Sequence, residues 1–159
     1  MKTFKIGEKE YVLEFTFEAA EHKALVQNMF NIMSGAYIVK NGANSDQDEA
    51  SAAVAVINGT SEMVADIPRI CRVAFYAGML ENNPVSEDES KTLMKQYMKE
   101  NGLSFYNLFE ELKKCMEEDG FFVLSGLNDM IQTMTDNAEQ ATKKQPKTPQ
   151  DHKKSTSTK

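Results

Sequence analysis

Long apolar runs are missing from this sequence of 159 residues. No run approaches the roughly 20 apolar residues that a membrane-spanning helix needs. The opening residues, MKTFKIGEKE, also lack the apolar stretch of a signal peptide. We therefore expect a cytoplasmic protein with no membrane partner. Hydrophobic residues make up 41% of the chain and charged residues 26%, which is enough apolar content for one buried core.

Residues that bind metals or act as nucleophiles are scarce. The two histidines are His22 and His152 and the two cysteines are Cys71 and Cys115, with none at the spacing of a zinc site. Each cysteine lies within an apolar helical pattern, which predicts buried, reduced thiols. The sequence has neither a glycine-rich phosphate loop nor a serine in a nucleophile elbow. We predict no enzymatic activity, no cofactor, no metal and no small-molecule substrate.

The chain is acidic, and its charge is unevenly distributed along the sequence. Its net charge is −6, but the residues from Glu139 onward carry six lysines against two acidic residues. That end is therefore +4, and the residues before it carry −10. Binding to duplex nucleic acid requires a basic face, which such an acidic body does not offer. The basic end has no aromatic side chain that could stack on bases, so we interpret it as a solvated linker and predict no nucleic-acid partner.

Residues 3–17 alternate between apolar and polar side chains, as a half-buried strand does. Phe4 and Ile6 alternate with lysines, Gly7-Glu8-Lys9 provides a turn, and an aromatic-rich second strand follows. This pattern predicts a β-hairpin. A lone hairpin is barely stable in water, so its apolar face must pack on its own domain or its edge must pair with another chain.

The next part of the sequence predicts two helices, each followed by residues that end a helix. A helical period covers residues 18–39, with a loosening at Ser34-Gly35 and a stop at Asn41-Gly42. The following helix has an acidic first turn at 46–49, which complements a helix N-terminus, and it is rich in small residues. Asn58-Gly59 predicts its end.

A central buried helix is predicted over residues 67–80. Asp66 can cap its N-terminus, and Pro68 is tolerated in a first turn because the proline nitrogen needs no acceptor there. Its charged residues are Arg69 and Arg72, and the other side chains are apolar or small. This helix should therefore be buried on most sides.

Two capped helices and a weaker helical segment complete the ordered part. Ser86 and Ser104 are predicted N-caps, and the stops of the helices they begin are Asn101-Gly102 and Gly120. The short apolar run after Gly120 is ambiguous, but a helical apolar face continues as far as Met134.

The apolar pattern ends at about residue 136. Residues 137–159 contain no large apolar side chain and many lysines, serines and threonines. Such a segment cannot bury enough surface to offset the entropy of ordering, so it is predicted to be disordered. The sequence thus predicts a mainly α fold: a compact multi-helix domain over 1–136 with a short N-terminal β-hairpin, and a disordered basic C-terminal tail over 137–159.

Methionine is unusually frequent, with ten residues that fall mostly within helical stripes. Filling of the core is the ordinary explanation for such residues. The alternative is an adaptable surface that binds varied apolar helices, because the flexible thioether chain repacks easily. The sequence alone leaves both open.

Three stretches of the chain together resemble a known family. They are KTFKIGEKEYVLEFTFEAAE, IPRICRVAFYAGMLENNPVSEDESKTLMKQYMKENGLSFYNLFEEL and CMEEDGFF. They are similar to the tail assembly chaperones of long-tailed bacteriophages and prophages of Gram-positive bacteria. The resemblance covers residues 2–134 and is carried by the pattern of helices and stops.

This resemblance implies a mainly helical, non-enzymatic protein that acts in the cytoplasm of an infected host. Its partners would be the long helical tape measure protein, which several copies keep soluble, and the major tail protein, which it helps to recruit. It would also self-associate, for which the hairpin edge is a candidate, and it would be absent from the mature virion. We expect the tape measure protein to contact part of a flexible, aromatic-rich stripe: Met94, Met98, Phe105 and Phe109.

Two competing functions belong to other classes. A small structural head–tail or tail component would stay in the virion, whereas a chaperone would be missing from purified particles. A regulatory, DNA-associated helical protein would bind duplex DNA in a salt-dependent way, which the acidic body argues against.

Overall fold

The computed structural model of the protein describes residues 1–42 and 48–143, with side chains through residue 138. The described part is mainly helical with an N-terminal two-stranded hairpin, which confirms the predicted fold class. In chain order the elements are β1 (Lys2–Ile6), β2 (Lys9–Leu13), α1 (Phe17–Glu21), α2 (Lys23–Met33), α3 (Ala36–Lys40), α4 (Glu49–Met79), α5 (Glu87–Asn101), α6 (Phe105–Glu118), α7 (Phe121–Leu124) and α8 (Leu127–Lys143).

The hairpin packs on its own domain. Its strands are antiparallel, with Ile6 paired with Lys9 across the turn, and the side chain of Phe4 is buried. The Phe4 ring lies edge-on to Phe75 of α4 and Tyr97 of α5, at centroid distances of 6.0 and 4.8 Å. Of the two arrangements that the sequence left open, the structure therefore has the intramolecular one.

The second strand is shorter than predicted. It ends at Leu13, and Phe15 is fully buried although it lies outside the strand. Phe17, predicted to belong to the same aromatic face, instead begins α1 and is 66% exposed. The alternation of aromatic residues therefore continues past the point where strand pairing stops.

The helix predicted over 18–39 is divided into α1, α2 and α3. The predicted loosening at Ser34-Gly35 is confirmed, since α2 ends at Met33 and α3 begins at Ala36. A further break occurs at His22, whose Nδ1 accepts a hydrogen bond from the Leu25 amide at 3.4 Å and so caps α2. The sequence did not predict this break, because histidine is not among the preferred capping residues.

The predicted end of a helix at Asn58-Gly59 is wrong. One helix of 31 residues, α4, runs from Glu49 to Met79 without interruption, and its N-cap is Asp48, which accepts from the Ser51 amide at 2.9 Å. The reason is that Gly59 is buried against α3: a Cβ there would lie 2.7 Å from the Cα of Ile38. This glycine permits a close helix contact rather than ending a helix.

The predicted cap at Asp66 is also wrong, because this residue lies inside α4. Its carboxylate instead accepts hydrogen bonds from the Tyr37 hydroxyl at 2.8 Å and from Arg69 at 2.9 Å. Pro68 is likewise internal. It cannot donate to the carbonyl of Val64, but both residues are on the exposed side of the helix, where water can reach that carbonyl.

The later caps and stops are confirmed. Ser86 accepts from the Glu89 amide at 3.2 Å and Ser104 accepts from the Asn107 amide at 3.1 Å. Gly102 ends α5 with a φ of 62°, a left-handed conformation that favours glycine. These signals act within one turn of the chain, so the sequence alone was sufficient to locate them.

The C-terminal half of α4 is the centre of the core, as predicted for residues 67–80. Ile70, Cys71, Ala74 and Phe75 are each at most 1% exposed. This half of the helix packs against α5, α6 and the hairpin. Its N-terminal half extends beyond the core and packs on α3.

The last described helix passes the predicted domain boundary. α8 continues to Lys143, seven residues beyond position 136. Residues 137–143 are therefore part of α8. The remainder of the predicted tail, 144–159, lies outside the described residues, as do 43–47.

Candidate functional site

The four residues predicted to bind a partner do not form one exposed stripe. Met94 is 3% exposed and Phe109 is 8% exposed, and both belong to the core. Met98 is half-buried against the same core, and Phe105 is 37% exposed at the start of α6. Phe105 and part of Met98 are thus the members that reach the surface. Partner binding by this set stays a prediction, and the burial of Met94 and Phe109 argues against their direct contact with a partner.

An apolar groove lies between α2 and α8. It is open to solvent and has a volume of about 420 Å³. Its apolar lining is supplied by Ala20, Val26, Phe30, Leu127 and Met130, with Lys23, Gln27 and Ser125 as the polar members. We call this feature the α2–α8 groove. Val26 and Phe30 face it together because they are four residues apart on one helix, and Leu127 and Met130 do so because they are three apart.

The methionine face of α8 extends the groove. Met130 is 54% exposed and Met134 is 48% exposed. Ala138 follows at the same spacing of four, so the three side chains form one stripe along the helix. Every side chain from Gln132 to Ala138 is exposed, so the stripe is open to solvent over this part of the helix. The structure therefore divides the methionines: some fill the core, and those of α8 form a surface.

A second exposed apolar surface lies on the N-terminal half of α4. Between residues 49 and 66 the buried residues are Ala55 and Gly59, and Gly59 lies against α3. The opposite side exposes apolar and small residues, which we call the α4 outer face: Ala50, Val54, Ile57, Ser61, Val64 and Pro68. The sequence showed the small residues of this helix but not which side would stay exposed.

A polar cluster connects α2, α3 and α4 on the side of α4 that faces α3. Tyr37 of α3 donates to Asp66 of α4 at 2.8 Å, and Arg69 donates to Asp66 at 2.9 Å. Arg69 also donates to Oδ1 of Asn28 on α2 at 3.1 Å. The Nδ2 atom of Asn28 is buried and makes no hydrogen bond to the described residues. A neighbouring cavity of about 270 Å³ is lined in part by Tyr37 and Asp66.

The electrostatics of this cluster favour a charged Asp66 and a neutral Tyr37. The hydrogen bond from Arg69, supported by that from Tyr37, lowers the pKa of Asp66. Burial and the neighbouring carboxylate raise the pKa of Tyr37 to about 12. The pair is thus arranged with one donor and one acceptor at neutral pH. Its evident role is to attach α3 and the N-terminal half of α4 to the body.

The two cysteines are buried and free, as predicted. Burial raises the pKa of the Cys71 thiol to about 12, and its sulfur lies 3.3 Å from the carbonyl oxygen of Phe105, to which it donates. Burial also raises the pKa of Cys115. A thiol that stays protonated is a poor nucleophile.

Among the side chains that the structure describes, in residues 1–42 and 48–138, no group of three or more histidines, cysteines, aspartates or glutamates is placed to hold a metal ion. In the same part of the chain, none of the helices has both the length and the apolar character required to cross a membrane.

Comparisons with known proteins identify no relative: no protein-family model, curated protein or solved structure matches this chain. The interpretation of function therefore depends on the exposed surfaces described above and on the resemblance seen in the sequence.

Proposed function

We propose that this protein is a non-enzymatic phage tail assembly chaperone that binds a helical segment of the tape measure protein in the α2–α8 groove. The observation that carries the proposal is the combination of that groove with the exposed methionine stripe of α8. The resemblance of residues 2–134 to such chaperones supplies the identity of the ligand.

The groove has the form that an amphipathic helix requires. An amphipathic ligand presents apolar anchors three to four residues apart, and it buries them in a hydrophobic trough. From Met130 to Ala138 the exposed stripe spans about 12 Å at 1.5 Å per residue, or just over two turns of a ligand helix. Met130 and Met134 supply flexible side chains that adapt to anchors of different size. Such a surface suits a ligand with many similar but unequal segments.

The charge of the protein suits a solubilising role. The residues before Glu139 carry −10, so chaperone copies arranged along an apolar ligand would give the assembly a strongly acidic exterior. Net charge of one sign opposes aggregation. In this proposal several copies cover the tape measure protein in the host cytoplasm, help to recruit the major tail protein, and leave as the tube polymerises.

The decisive experiment is co-expression with the tape measure protein, followed by co-purification and measurement of its soluble fraction. The double variant Met130→Glu/Met134→Glu should abolish co-purification, because each glutamate would have to be desolvated against the apolar face of the bound helix. The matched control is Asn128→Glu/Thr135→Glu, which adds the same charge to the same helix on its other side. It should bind as the wild type does.

Two outcomes would contradict the proposal. If wild-type protein neither binds nor solubilises the tape measure protein, the function is wrong. If both double variants bind equally well, the groove is not the binding site. Mass spectrometry of purified virions gives an independent test, since a structural head–tail or tail component would be present in them and a chaperone would not.

The stripe predicted from the sequence can be tested in the same assay. Met94→Glu should unfold the protein, because its side chain is 3% exposed in the core. Phe105→Glu should leave the helical circular dichroism signal intact, because this side chain is already 37% exposed. Loss of binding in Phe105→Glu would extend the binding surface to the start of α6.

A further inference from the structure

The α4 outer face has the spacing of a coiled-coil seam. Its residues, at positions 50, 54, 57, 61, 64 and 68, follow one another at alternating intervals of four and three. This interval averages 3.5 residues, which keeps side chains on one nearly straight line along a helix. The three largest members are well exposed: Val54 at 56%, Ile57 at 67% and Val64 at 53%.

The other side of the same helix is already occupied. Gly59 lies against the backbone of α3, and Glu62 pairs with Lys40 at the same contact. Asp66 is held by Tyr37 and Arg69. The apolar seam lies on the opposite side of the helix from these contacts, and its side chains are exposed.

We infer that the α4 outer face is the contact between two copies of this chain, packed side by side with their α4 helices antiparallel. For each position of the face before residue 59 there is another at the same distance after it. In an antiparallel pair of identical helices, the positions of one face therefore lie directly opposite the positions of the other. Val54 of one copy then faces Val64 of the other, and Ala50 faces Pro68. The bulky Ile57 faces the small Ser61, which leaves room for it as a knob in a hole.

Charge also favours a second copy in the antiparallel direction. The chain carries −6 overall, yet residues 50–61 contain no charged side chain, so two acidic molecules can meet there without opposing carboxylates. In a parallel pair the acidic first turns at Asp48 and Glu49 would lie together. The antiparallel pair separates them by about 30 Å along the axis. In this arrangement the acidic first turn of each α4 also lies at the same end of the pair as Arg69 and Arg72 of the other copy.

The size of the face determines how strong the dimer is. From residue 50 to residue 68 the helix extends about 27 Å, and two helices about 10 Å wide bury on the order of 600 Å² over that length. Stable complexes typically bury about 1,200 Å² or more. The structure therefore assigns a reversible dimer that forms at micromolar or higher concentration, without any other protein.

Sedimentation equilibrium of the purified full chain from about 10 µM to about 1 mM tests this directly. The average mass should rise from that of one 17.9 kDa chain toward that of two. Ile57→Glu should weaken the dimer by at least about tenfold, because it places a charge in the seam. Val56→Glu is the matched control on the same helix, since Val56 is 46% exposed but lies off the seam.

Cysteine cross-linking tests the direction of the pair. A mixture of Ile57→Cys and Ser61→Cys chains should form disulfide-linked dimers on oxidation faster than either chain alone, because these positions face each other in an antiparallel pair. Wild-type protein is the control, as Cys71 and Cys115 are buried. A single-chain mass at every concentration, or equal effects of the two glutamate variants, would overturn the interface. Fastest cross-linking of Ile57→Cys with itself would overturn the antiparallel arrangement.

Discussion

Substitution of Gly59 by alanine distinguishes a packing glycine from one that ends a helix. In an exposed helix interior this change stabilises by about 0.8–1 kcal/mol, because alanine has the better helix propensity. Here the new Cβ would lie 2.7 Å from Cα of Ile38 and 2.8 Å from both the Ile38 nitrogen and the Tyr37 carbonyl oxygen. These are backbone atoms, so α3 itself must move.

The net effect is expected to be destabilising. Overpacking of a close contact costs typically about 1–3 kcal/mol, which exceeds the gain in propensity. We expect Gly59→Ala to lower the free energy of unfolding by about 1 kcal/mol, equivalent to a fall in Tm of about 3 °C for a chain of this size. Urea and thermal unfolding followed by circular dichroism at 222 nm measure both quantities.

The neighbouring residue provides the control. Asn58 is exposed within the same helix, so Asn58→Ala should stabilise by about 0.5 kcal/mol through propensity alone. If Gly59→Ala instead stabilised the protein by about 1 kcal/mol, the close packing of α3 on α4 would be refuted. A loss of stability in Asn58→Ala would support the helix stop that the sequence pattern indicates.

Three further predictions concern the polar cluster, a helix cap and the thiols. Because its hydrogen bonds lower the pKa of Asp66, they stabilise the fold above about pH 4, and this contribution disappears as the pH falls through the folded-state pKa. Asp66→Asn should therefore flatten the acid side of a stability–pH curve, and an unchanged curve would argue against the cluster. Ser86→Ala should cost about 1 kcal/mol in urea unfolding, whereas Ser86→Asp should retain the cap and most of the stability. Cys71 and Cys115 should react with a thiol reagent at the rate of unfolding, and rapid reaction of the native protein would contradict their burial.

The features predicted correctly from sequence are those set by nearby residues. Ser86 and Ser104 cap helices through amides three positions away, and Gly102 ends a helix through its own φ. The hairpin follows from alternation within a few residues. For the caps and the helix stop, the sequence signal and its structural effect lie within one turn of the chain, and the hairpin pairs residues no farther apart than Lys2 and Leu13.

The features that were missed depend on distant contacts. Gly59 gives the same local signal whether it ends a helix or admits a neighbour, and the neighbour, Ile38, is 21 positions earlier. A methionine stripe has the same period whether it meets its own core, as Met94 does, or remains exposed, as Met130 does. The extension of α8 to Lys143 was missed for another reason: the prediction required large apolar residues, whereas glutamate, glutamine, alanine and lysine have sufficient helix propensity without them.

The continuity of α4 also has a mechanical consequence. A loop at position 59 would have acted as a hinge and absorbed any movement of the N-terminal half. A single hydrogen-bonded rod instead transmits tilt and torque from Ile57 to Phe75, about 27 Å away. The helix bends most easily at Pro68, because proline has no amide hydrogen to donate to the carbonyl of Val64. A force applied to the exposed N-terminal half of α4 is therefore transmitted to the aromatic rings that pack under the hairpin: Phe4, Phe75 and Tyr97.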